Sequence, residues 1–387
     1  MTAVALTLPI AGTSLCYLDP YVTARSFSTP LTLLAVGWLL GGLRGERRAY
    51  WYALTALIVA GLFHPLMAAY ATGGMVFLFC AYQRRWKLAG GVIGLALATA
   101  FAVRLGSAHA TEAYEAVVKT RNYWFLARWH WYEVFGAVAP LGIFGVLCGV
   151  RGVGKELRAL VTGAGLLGAL GLLVSVCCVH AESGQYFVAR LQPLRTMHFA
   201  YGVLMVALGG MMGAALSKLR ERKMRVAAFT AIYAGLAAIS ATGQRNIYVH
   251  SHSLEMPRMQ PKDPWSQAFV WVRLHTPADA TFALDADYIT QQDEDAQCFR
   301  AIAERSSLPD YSKDGGVASL APAMAEEWVR GQRAQSGLSR MSEDERAEKM
   351  VPLGVTWLVL RADAVTLLPC EYSNGVVKVC RMTPGPR

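Results

Sequence analysis

Nine apolar stretches, all but one near the length that crosses a bilayer, dominate the first 246 residues of the chain; the exception, 50–63, is shorter. A membrane-spanning helix needs about 20 mostly apolar residues, with a range of about 17–25. Inside a bilayer every backbone N–H and C=O group has to be satisfied within the chain, so such stretches fold as helices. The predicted spans are residues 2–18, 27–43, 50–63, 65–82, 88–106, 134–150, 159–179, 197–217 and 226–243.

Charge divides the chain into two parts. Residues 1–246 contain 22 Lys and Arg against 8 Asp and Glu, whereas residues 247–387 contain 15 against 19. Because the positive charge lies in short loops between apolar stretches, the net charge of +10 does not indicate nucleic-acid binding. We expect an α-helical multipass membrane domain over 1–246, followed by a small soluble α/β domain over 250–387.

Pro65 divides the longest apolar region, because a proline inside a helix removes a hydrogen bond and forces a break or a kink. Two passes over 50–82, rather than one, place the flanking basic clusters on the same side, as the positive-inside bias prefers. Eight or ten spans are the alternatives to nine. The basic residues of the four short loops are Arg44, Arg47, Arg48, Arg84, Arg85, Lys87, Arg151, Lys155, Arg158, Lys218, Arg220, Arg222, Lys223 and Arg225.

This topology predicts an orientation in the inner (plasma) membrane of a cell. The four basic loops would face the cytoplasm. Residues 17–26, 107–132 and 180–196, together with the tail from about 244, would then face the outer, periplasmic side.

Several basic residues fall in these outer segments and could bind an anionic lipid headgroup. Arginine binds phosphate through a planar fork of donors. The alternatives are an interfacial aromatic belt around residues 123–132 and side chains that snorkel to headgroups. The candidate phosphate-binding residues are Arg25, Arg121, Arg128, Arg190, Arg195 and His198; the last two are three residues apart and would share a helix face.

The tail alternates strand-like and helix-like segments, which predicts the small α/β domain. Residues 281–288, 355–363 and 375–382 are the predicted strands. The charged cluster Arg305, Asp310, Lys313 and Asp314 is either a lip over a membrane-facing site or a solvated loop.

The cysteines show no metal-binding spacing, and we assign no metal ligands. His250 and His252 lack a third ligand at a recognisable spacing. Cys370 and Cys380 flank a turn-like segment, so a disulfide forms there if the strand register brings the two side chains together.

The layout resembles the GT-C class of multipass glycosyltransferases. The segments that carry the resemblance are "LDPYVTARSFSTPLTLLAV", "CFRAIAERSSLPDYSKDGG" and "GVTWLVLRAD". The resemblance implies transfer of a sugar from a polyprenyl-phosphate donor at the outer leaflet, with Asp19 as base or as ligand of a divalent cation. A structural ion pair between Asp19 and Arg25 is the competing explanation for Asp19. The class usually presents its catalytic acid in a long first outer loop, whereas here only Asp19 follows the first predicted span.

Two explanations of that departure stay open. Either the chain lacks the amino-terminal spans of its relatives, or the chemistry has been lost. In the second case the chain would be a non-catalytic membrane protein that binds a lipid or a partner. A transporter is the third hypothesis, although transporters usually show internal repeats and polar residues in mid-span.

Overall fold

The computed structural model describes residues 24–219, 221–247, 261, 263–288 and 299–382. The predicted span 2–18, the candidate acid Asp19 and the pair His250 and His252 lie outside these residues. The chain forms two compact units. Unit 1 comprises residues 1–109 and 122–243, and unit 2 comprises residues 110–121 and 244–387.

The part of the chain up to residue 247 is almost entirely helical. Its helices are α1 (Ala24–Leu43), α2 (Arg47–Phe63), α3 (Pro65–Tyr82), α4 (Trp86–Gly106), α5 (Glu112–Lys119), α6 (Trp131–Gly149), α7 (Lys155–Cys178), α8 (Phe187–Arg190), α9 (Thr196–Ser217) and α10 (Arg222–Ile247). Short 3-10 turns cover Asn122–Trp124, Leu126–Arg128 and Pro193–Arg195. All of these belong to unit 1 except α5, which is part of unit 2, and the last residues of α10.

Six helical segments of the described residues are long and apolar enough to cross a membrane. They are Ala24–Leu43, Pro65–Tyr82, Trp86–Gly106, Trp131–Gly149, Lys155–Cys178 and Phe187–Ser217. The predicted spans 50–63 and 226–243 are helical, in α2 and α10, but are not among the six. The helical, apolar character of the first region is therefore confirmed, and the number of nine spans stays a prediction.

The predicted break at Pro65 is confirmed. Helix α2 ends at Phe63, His64 is extended with φ −150° and ψ 90°, and Pro65 begins α3. The Nδ1 atom of His64 accepts a hydrogen bond from the Met67 backbone N–H at 3.4 Å. His64 thus caps the second of two separate helices, which is a structural role.

The contacts of unit 1 distinguish two ends of its helices. At one end, Arg44 Nε lies 3.4 Å from Glu156 Oε1, and Lys155 Nζ lies 3.8 Å from the centre of the Tyr82 ring. At the other end, Gln185 Nε2 donates to the Ser107 carbonyl at 3.1 Å. Three of the predicted cytoplasmic loops thus meet at one end, which is the arrangement expected from their shared charge.

Glycines allow the apolar helices of unit 1 to approach closely. A Cβ atom at Gly163 of α7 would lie 2.6 Å from the Leu78 backbone nitrogen of α3. A Cβ atom at Gly168 would lie 3.0 Å from Leu141 Cδ2 of α6. Packing through small residues is typical of helices that associate in lipid, where water supplies no hydrophobic driving force.

We expect Gly163→Ala to destabilise unit 1 by about 1–3 kcal/mol, because the new methyl group has to displace the α3 backbone. Gly142→Ala in α6 is the matched control, since a Cβ atom there meets nothing within 4 Å. Thermal unfolding of the two purified variants in detergent measures the effect. A Gly163→Ala protein as stable as the Gly142→Ala protein would contradict the close packing of α3 on α7.

Unit 2 contains a small mixed sheet covered by helices. Its elements after α10 are α11 (Pro264–His275), β1 (Thr281–Leu284), α12 (Phe299–Ala303), β2 (Ser306–Ser307), α13 (Lys313–Leu320), α14 (Ala325–Gln335), α15 (Glu343–Met350), β3 (Trp357–Arg361), β4 (Cys370–Ser373) and β5 (Val377–Arg381). The strand order is β2-β1-β3-β5-β4. Strand β1 is parallel to β2 and β3, and β5 is antiparallel to β3 and β4. The predicted mixture of helices and strands in the tail is confirmed.

The core of unit 2 lies between the sheet and helices α11 and α12. Phe269, Phe282 and Phe299 are fully buried there, and the Phe299 ring contacts the rings of the other two. At the far edge of the sheet, Cys370 lies directly opposite Cys380, and a disulfide joins them. The register therefore meets the condition that the sequence left open for this pair.

Helix α5 packs into unit 2 although it lies in sequence between two helices of unit 1. Tyr114, Val117 and Val118 form its buried face. The Tyr114 hydroxyl donates to the Ser319 carbonyl of α13 at 2.8 Å. The connection between α4 and α6 is thus an integral part of the sheet-containing unit.

Candidate functional site

Two basic side chains that are distant in sequence meet at one end of unit 1. Arg25 lies in the first turn of α1 and His198 in the first turn of α9, and Arg25 Nη1 is 3.2 Å from His198 Nε2. His198 is buried and Arg25 is half-buried. Because a guanidinium only donates hydrogen bonds, Nε2 is the acceptor in this contact and carries no hydrogen. The contact thus selects the tautomer of His198.

Arg195 adds a second guanidinium beside this pair. Its side chain is hydrogen-bonded to Tyr123, and it lies close enough to Arg25 and Tyr70 to interact electrostatically with both. Arg195 ends the 3-10 turn Pro193–Arg195 and directly precedes α9, whereas His198 lies in the first turn of α9. That the two share one helix face stays a prediction. We call Arg25, Arg195 and His198 the basic cluster; its positive charges converge on one place at the end of apolar helices.

The connection between α8 and α9 holds Arg195 in position through a tight turn. Gln192 has a left-handed backbone, with φ 49° and ψ 58°, and its carbonyl accepts the Arg195 N–H at 2.8 Å. The Tyr70 hydroxyl of α3 donates to the Leu191 carbonyl. A left-handed conformation costs a residue other than glycine about 1–2 kcal/mol, so the fold stores strain at this turn.

The segments that supply the basic cluster also contain buried polar atoms without a hydrogen-bond partner in the described structure. They are Ser28 Oγ, Trp124 Nε1, Gln192 Oε1 and Arg195 Nε. Ser28 is one turn beyond Arg25 on the same face of α1, and Trp124 adjoins Tyr123. A buried polar atom left unsatisfied costs about 1–3 kcal/mol, so several of them in the segments that form the basic cluster indicate a site prepared for a polar ligand.

The chemistry of this set suits a ligand that combines an anion with hydroxyl groups. Two guanidinium groups, a hydroxyl and an indole N–H supply donors for anionic oxygen atoms. The Gln192 amide oxygen is an acceptor, which a ligand hydroxyl could satisfy.

Two other candidate arginines of unit 1 are occupied elsewhere. Arg128 Nη2 pairs with Glu182 Oε1 at 3.1 Å, and its Nη1 donates to Asn122 Oδ1 at 3.0 Å. The Arg190 guanidinium lies 5.4 Å from the centre of the Phe187 ring. No contact within the described residues joins either arginine to the basic cluster.

Arg121 belongs to unit 2, where its guanidinium is buried. Its Nη1 donates to the Ser312 carbonyl at 3.2 Å, and its Nη2 donates to the Tyr311 carbonyl at 2.5 Å. The guanidinium also lies over the Tyr311 ring, 5.5 Å from its centre. These contacts dock the end of α5 and its following turn onto the segment before α13.

The charged residues predicted as a lip form two separate groups in unit 2. Asp314 makes a two-pronged pair with Arg300, at 2.7 and 2.6 Å, and also accepts the Asp310 backbone N–H. Asp310 accepts the Lys313 N–H at 2.5 Å. Arg305 instead donates to the carbonyls of Arg273 and Thr276, at 2.8 and 2.6 Å, and so caps the end of α11.

Burial and, after it, the charge of Asp314 raise the pKa of the Asp310 carboxyl above its ordinary value. The hydrogen bond with Asp314 is the largest cause that raises the pKa of Arg300. Because these charged groups bond to one another and to nearby backbone, their arrangement within unit 2 fixes the turn before α13.

Asp285 follows strand β1 and has a comparable internal role. Its two carboxylate oxygens accept the backbone N–H groups of Gly337 and Ser339, at 3.1 and 3.2 Å. Burial raises the pKa of Asp285, and the charge of Asp287 adds to the effect. Within the described ranges, no group of three His, Cys, Asp or Glu side chains is placed to hold a metal ion.

Comparison of the chain with protein-family models, curated proteins and solved structures finds no match. The proposed function therefore rests on the geometry of the basic cluster and on the order of apolar and polar segments along the sequence.

Sequence reasoning did not find the neutral members of the site. Ser28 and Tyr70 lie inside apolar helices, where a single hydroxyl is ordinary. Gln192 gave no signal, because neither its burial nor its left-handed backbone can be read from its neighbours. Only the proline that follows it marks this segment as a turn.

We expect Gln192→Gly to stabilise unit 1 by about 1–2 kcal/mol, because glycine adopts the left-handed conformation without strain and leaves no buried amide oxygen. Thermal unfolding of the variant in detergent, without added lipid, measures this gain. The control is Gln185→Gly, at a residue whose backbone φ is not positive. This substitution removes the same side chain together with its hydrogen bond to the Ser107 carbonyl, so it should lower stability. A Gln192→Gly protein less stable than the native chain would contradict stored strain at this turn.

Proposed function

We propose that the chain is an integral membrane protein that binds a lipid-linked phosphate through Arg25 and Arg195, with His198 holding Arg25 in place. The observation that carries this proposal is the convergence of two guanidinium groups with buried polar atoms that the described structure leaves unsatisfied. A lipid phosphate arrives from within the apolar layer, so its anionic group reaches a site at the end of membrane-spanning helices. Arginine matches its oxygen atoms better than lysine does.

The resemblance to GT-C glycosyltransferases suggests what the protein does with such a lipid. In this proposal a polyprenyl-phosphate sugar is the donor, and an acceptor hydroxyl attacks the anomeric carbon. The acceptor proton passes to the Asp19 carboxylate, the bond between sugar and phosphate breaks, and the phosphate leaves on its lipid. Arg25 and Arg195 would stabilise the negative charge that develops on the leaving phosphate. Alternatively, the Asp19 carboxylate would bind a divalent cation instead of accepting the proton.

Three features support an outward-facing position for this end of the helices. The basic loops lie at the opposite end of unit 1, where the positive-inside bias places them in the cytoplasm. Unit 2 includes α5 from the connection between α4 and α6, so that connection and the tail share one side of the membrane. The Cys370–Cys380 disulfide fits an oxidising compartment such as the periplasm.

Lipid binding without chemistry is the second candidate function. It is favoured by the sequence, in which Asp19 is the only acidic residue that follows the first predicted span before the second. In that case the protein would hold a phosphorylated lipid for a partner or for an assembly.

We expect Arg195→Gln to weaken binding of a polyprenyl phosphate by about 10–100-fold, because a hydrogen bond to a charged group contributes about 1.5–3 kcal/mol. Arg128→Gln is the matched control, since Arg128 is paired with Glu182 outside the cluster. Titration of the lipid into each purified variant, followed by native mass spectrometry, gives the two dissociation constants. Equal constants for the two variants would remove the basic cluster from the proposal.

A second experiment separates the enzyme from the binding protein. If Asp19 is the base, Asp19→Asn abolishes sugar transfer from a polyprenyl-phosphate donor. The dissociation constant for the lipid stays within about twofold of the native value, and the unfolding temperature is unchanged. Radiolabelled sugar transfer in membranes that contain the protein measures turnover. If the variant transfers sugar at the native rate, Asp19 is not the base. If the native protein binds the lipid but transfers no sugar, the non-catalytic function is favoured.

A further inference from the structure

The loop between strands β3 and β4 of unit 2 presents two aliphatic side chains almost completely to the surroundings. Val365 is 88% exposed and Leu367 is 93% exposed. They are the two most exposed large apolar side chains in the described part of the chain. Single exposed apolar residues are common on soluble domains, but a neighbouring pair at this level of exposure is a reason to look for a partner.

The loop is held in one shape, so the exposure of these side chains is built into the fold. The Glu343 carboxylate accepts hydrogen bonds from the Thr366 hydroxyl and the Leu367 N–H, at 2.5 and 2.9 Å. Arg346, which is fully buried, donates to the Val365 carbonyl at 3.1 Å. Lys378 donates to the Ala364 carbonyl. These bonds reach the loop from α15 and from β5, on two sides.

Side chains alternate along this loop as they do along a strand. Ala364 and Leu368 pack into the unit, and Thr366 bonds to Glu343, whereas Val365 and Leu367 between them point away. Such alternation produces one apolar edge on a polar support. The polar contacts thus fix the loop so that it displays its two aliphatic groups and buries its neighbours.

We propose that Val365 and Leu367 insert into the interfacial region of the lipid bilayer and anchor unit 2 on the membrane surface. This inference rests on the proposed function, in which α4 crosses the membrane: unit 2 is then tethered close to the bilayer, because α5 belongs to unit 2 and only residues 107–111 separate it from α4. Five residues extend over at most about 18 Å. Aliphatic side chains on a rigid support gain from the transfer into the bilayer without the entropic cost of ordering a loop.

This anchor is independent of the proposed lipid-phosphate site, since it involves a different unit and bulk lipid rather than one bound molecule. It gives unit 2 a second attachment to the membrane besides its covalent connections. Asp363 and Arg361 at the base of the loop have opposite charges and pair at 3.8 Å. Electrostatic attraction to lipid headgroups therefore contributes little to this attachment.

The test uses the full chain reconstituted in phosphatidylcholine vesicles. A cysteine replaces Val365 and is labelled with a fluorophore that responds to polarity, while Glu326→Cys in α14 is the exposed control position in the same unit. Quenching is measured with a nitroxide attached near the top of the lipid acyl chain and with iodide in the water. Leu367→Cys, labelled in the same way, provides an independent second site.

Insertion predicts that lipid nitroxide quenches the labels at 365 and 367 at least threefold more than the label at 326, and that iodide quenches them less. Equal quenching at all three positions would show that the loop lies in water. Labels at 365 and 367 that neither reagent reaches would show that protein covers the loop. Either of these two results would overturn the proposal.

Discussion

The packing of α5 into the sheet-containing unit is the interaction on which the arrangement of the rest of the chain depends. Arg121 is buried there, and a buried guanidinium is tolerated only where its donors find acceptors. The carbonyls of Tyr311 and Ser312 supply them, and the Tyr114 hydroxyl adds a bond to Ser319. Breaking these contacts would leave several buried polar groups unsatisfied, so the connection between α4 and α6 stays with unit 2.

This packing has a consequence for the proposed function. In the proposed function α4 and α6 cross the membrane, so the connection between them and the tail lie on one side of it. Helices α4 and α7 end side by side, since Arg104 donates to the Cys177 carbonyl and Gln185 to that of Ser107. The basic cluster lies near this end, because a Cβ atom at Gly171 of α7 would be 2.6 Å from the Pro193 carbonyl oxygen, two residues before Arg195. In the proposed function, the lipid-phosphate site and the sheet-containing unit therefore serve the same compartment.

Part of this structure could be predicted from the sequence, because local rules decide it. Pro65 cannot continue a helix, and the structure breaks there at His64. The apolar run that follows Arg195 predicts a helix, and α9 begins at the next residue, Thr196. Apolar length indicates helices, and the alternation of segments in the tail indicates an α/β unit. These signals depend on neighbours along the chain.

The remainder depends on contacts between distant residues, which the sequence alone does not reveal. Arg121 and Arg128 look alike in sequence, yet one is buried in unit 2 and the other pairs with Glu182. Strand β4 is an edge strand with mostly exposed residues, so it lacks an apolar pattern, and only its register shows that Cys370 meets Cys380. Tertiary contacts likewise bring Arg25 to His198 across 173 positions of sequence.

The most direct test of the account maps which side of the membrane α5, the tail and a basic loop occupy. Glu112→Cys, Lys349→Cys and Arg151→Cys place single exposed cysteines in these three regions. A membrane-impermeant maleimide is applied to sealed vesicles of known orientation, and peptide mass spectrometry reads each position. The account predicts that positions 112 and 349 react from one side and position 151 from the other. Reaction of 112 and 349 from opposite sides would contradict it.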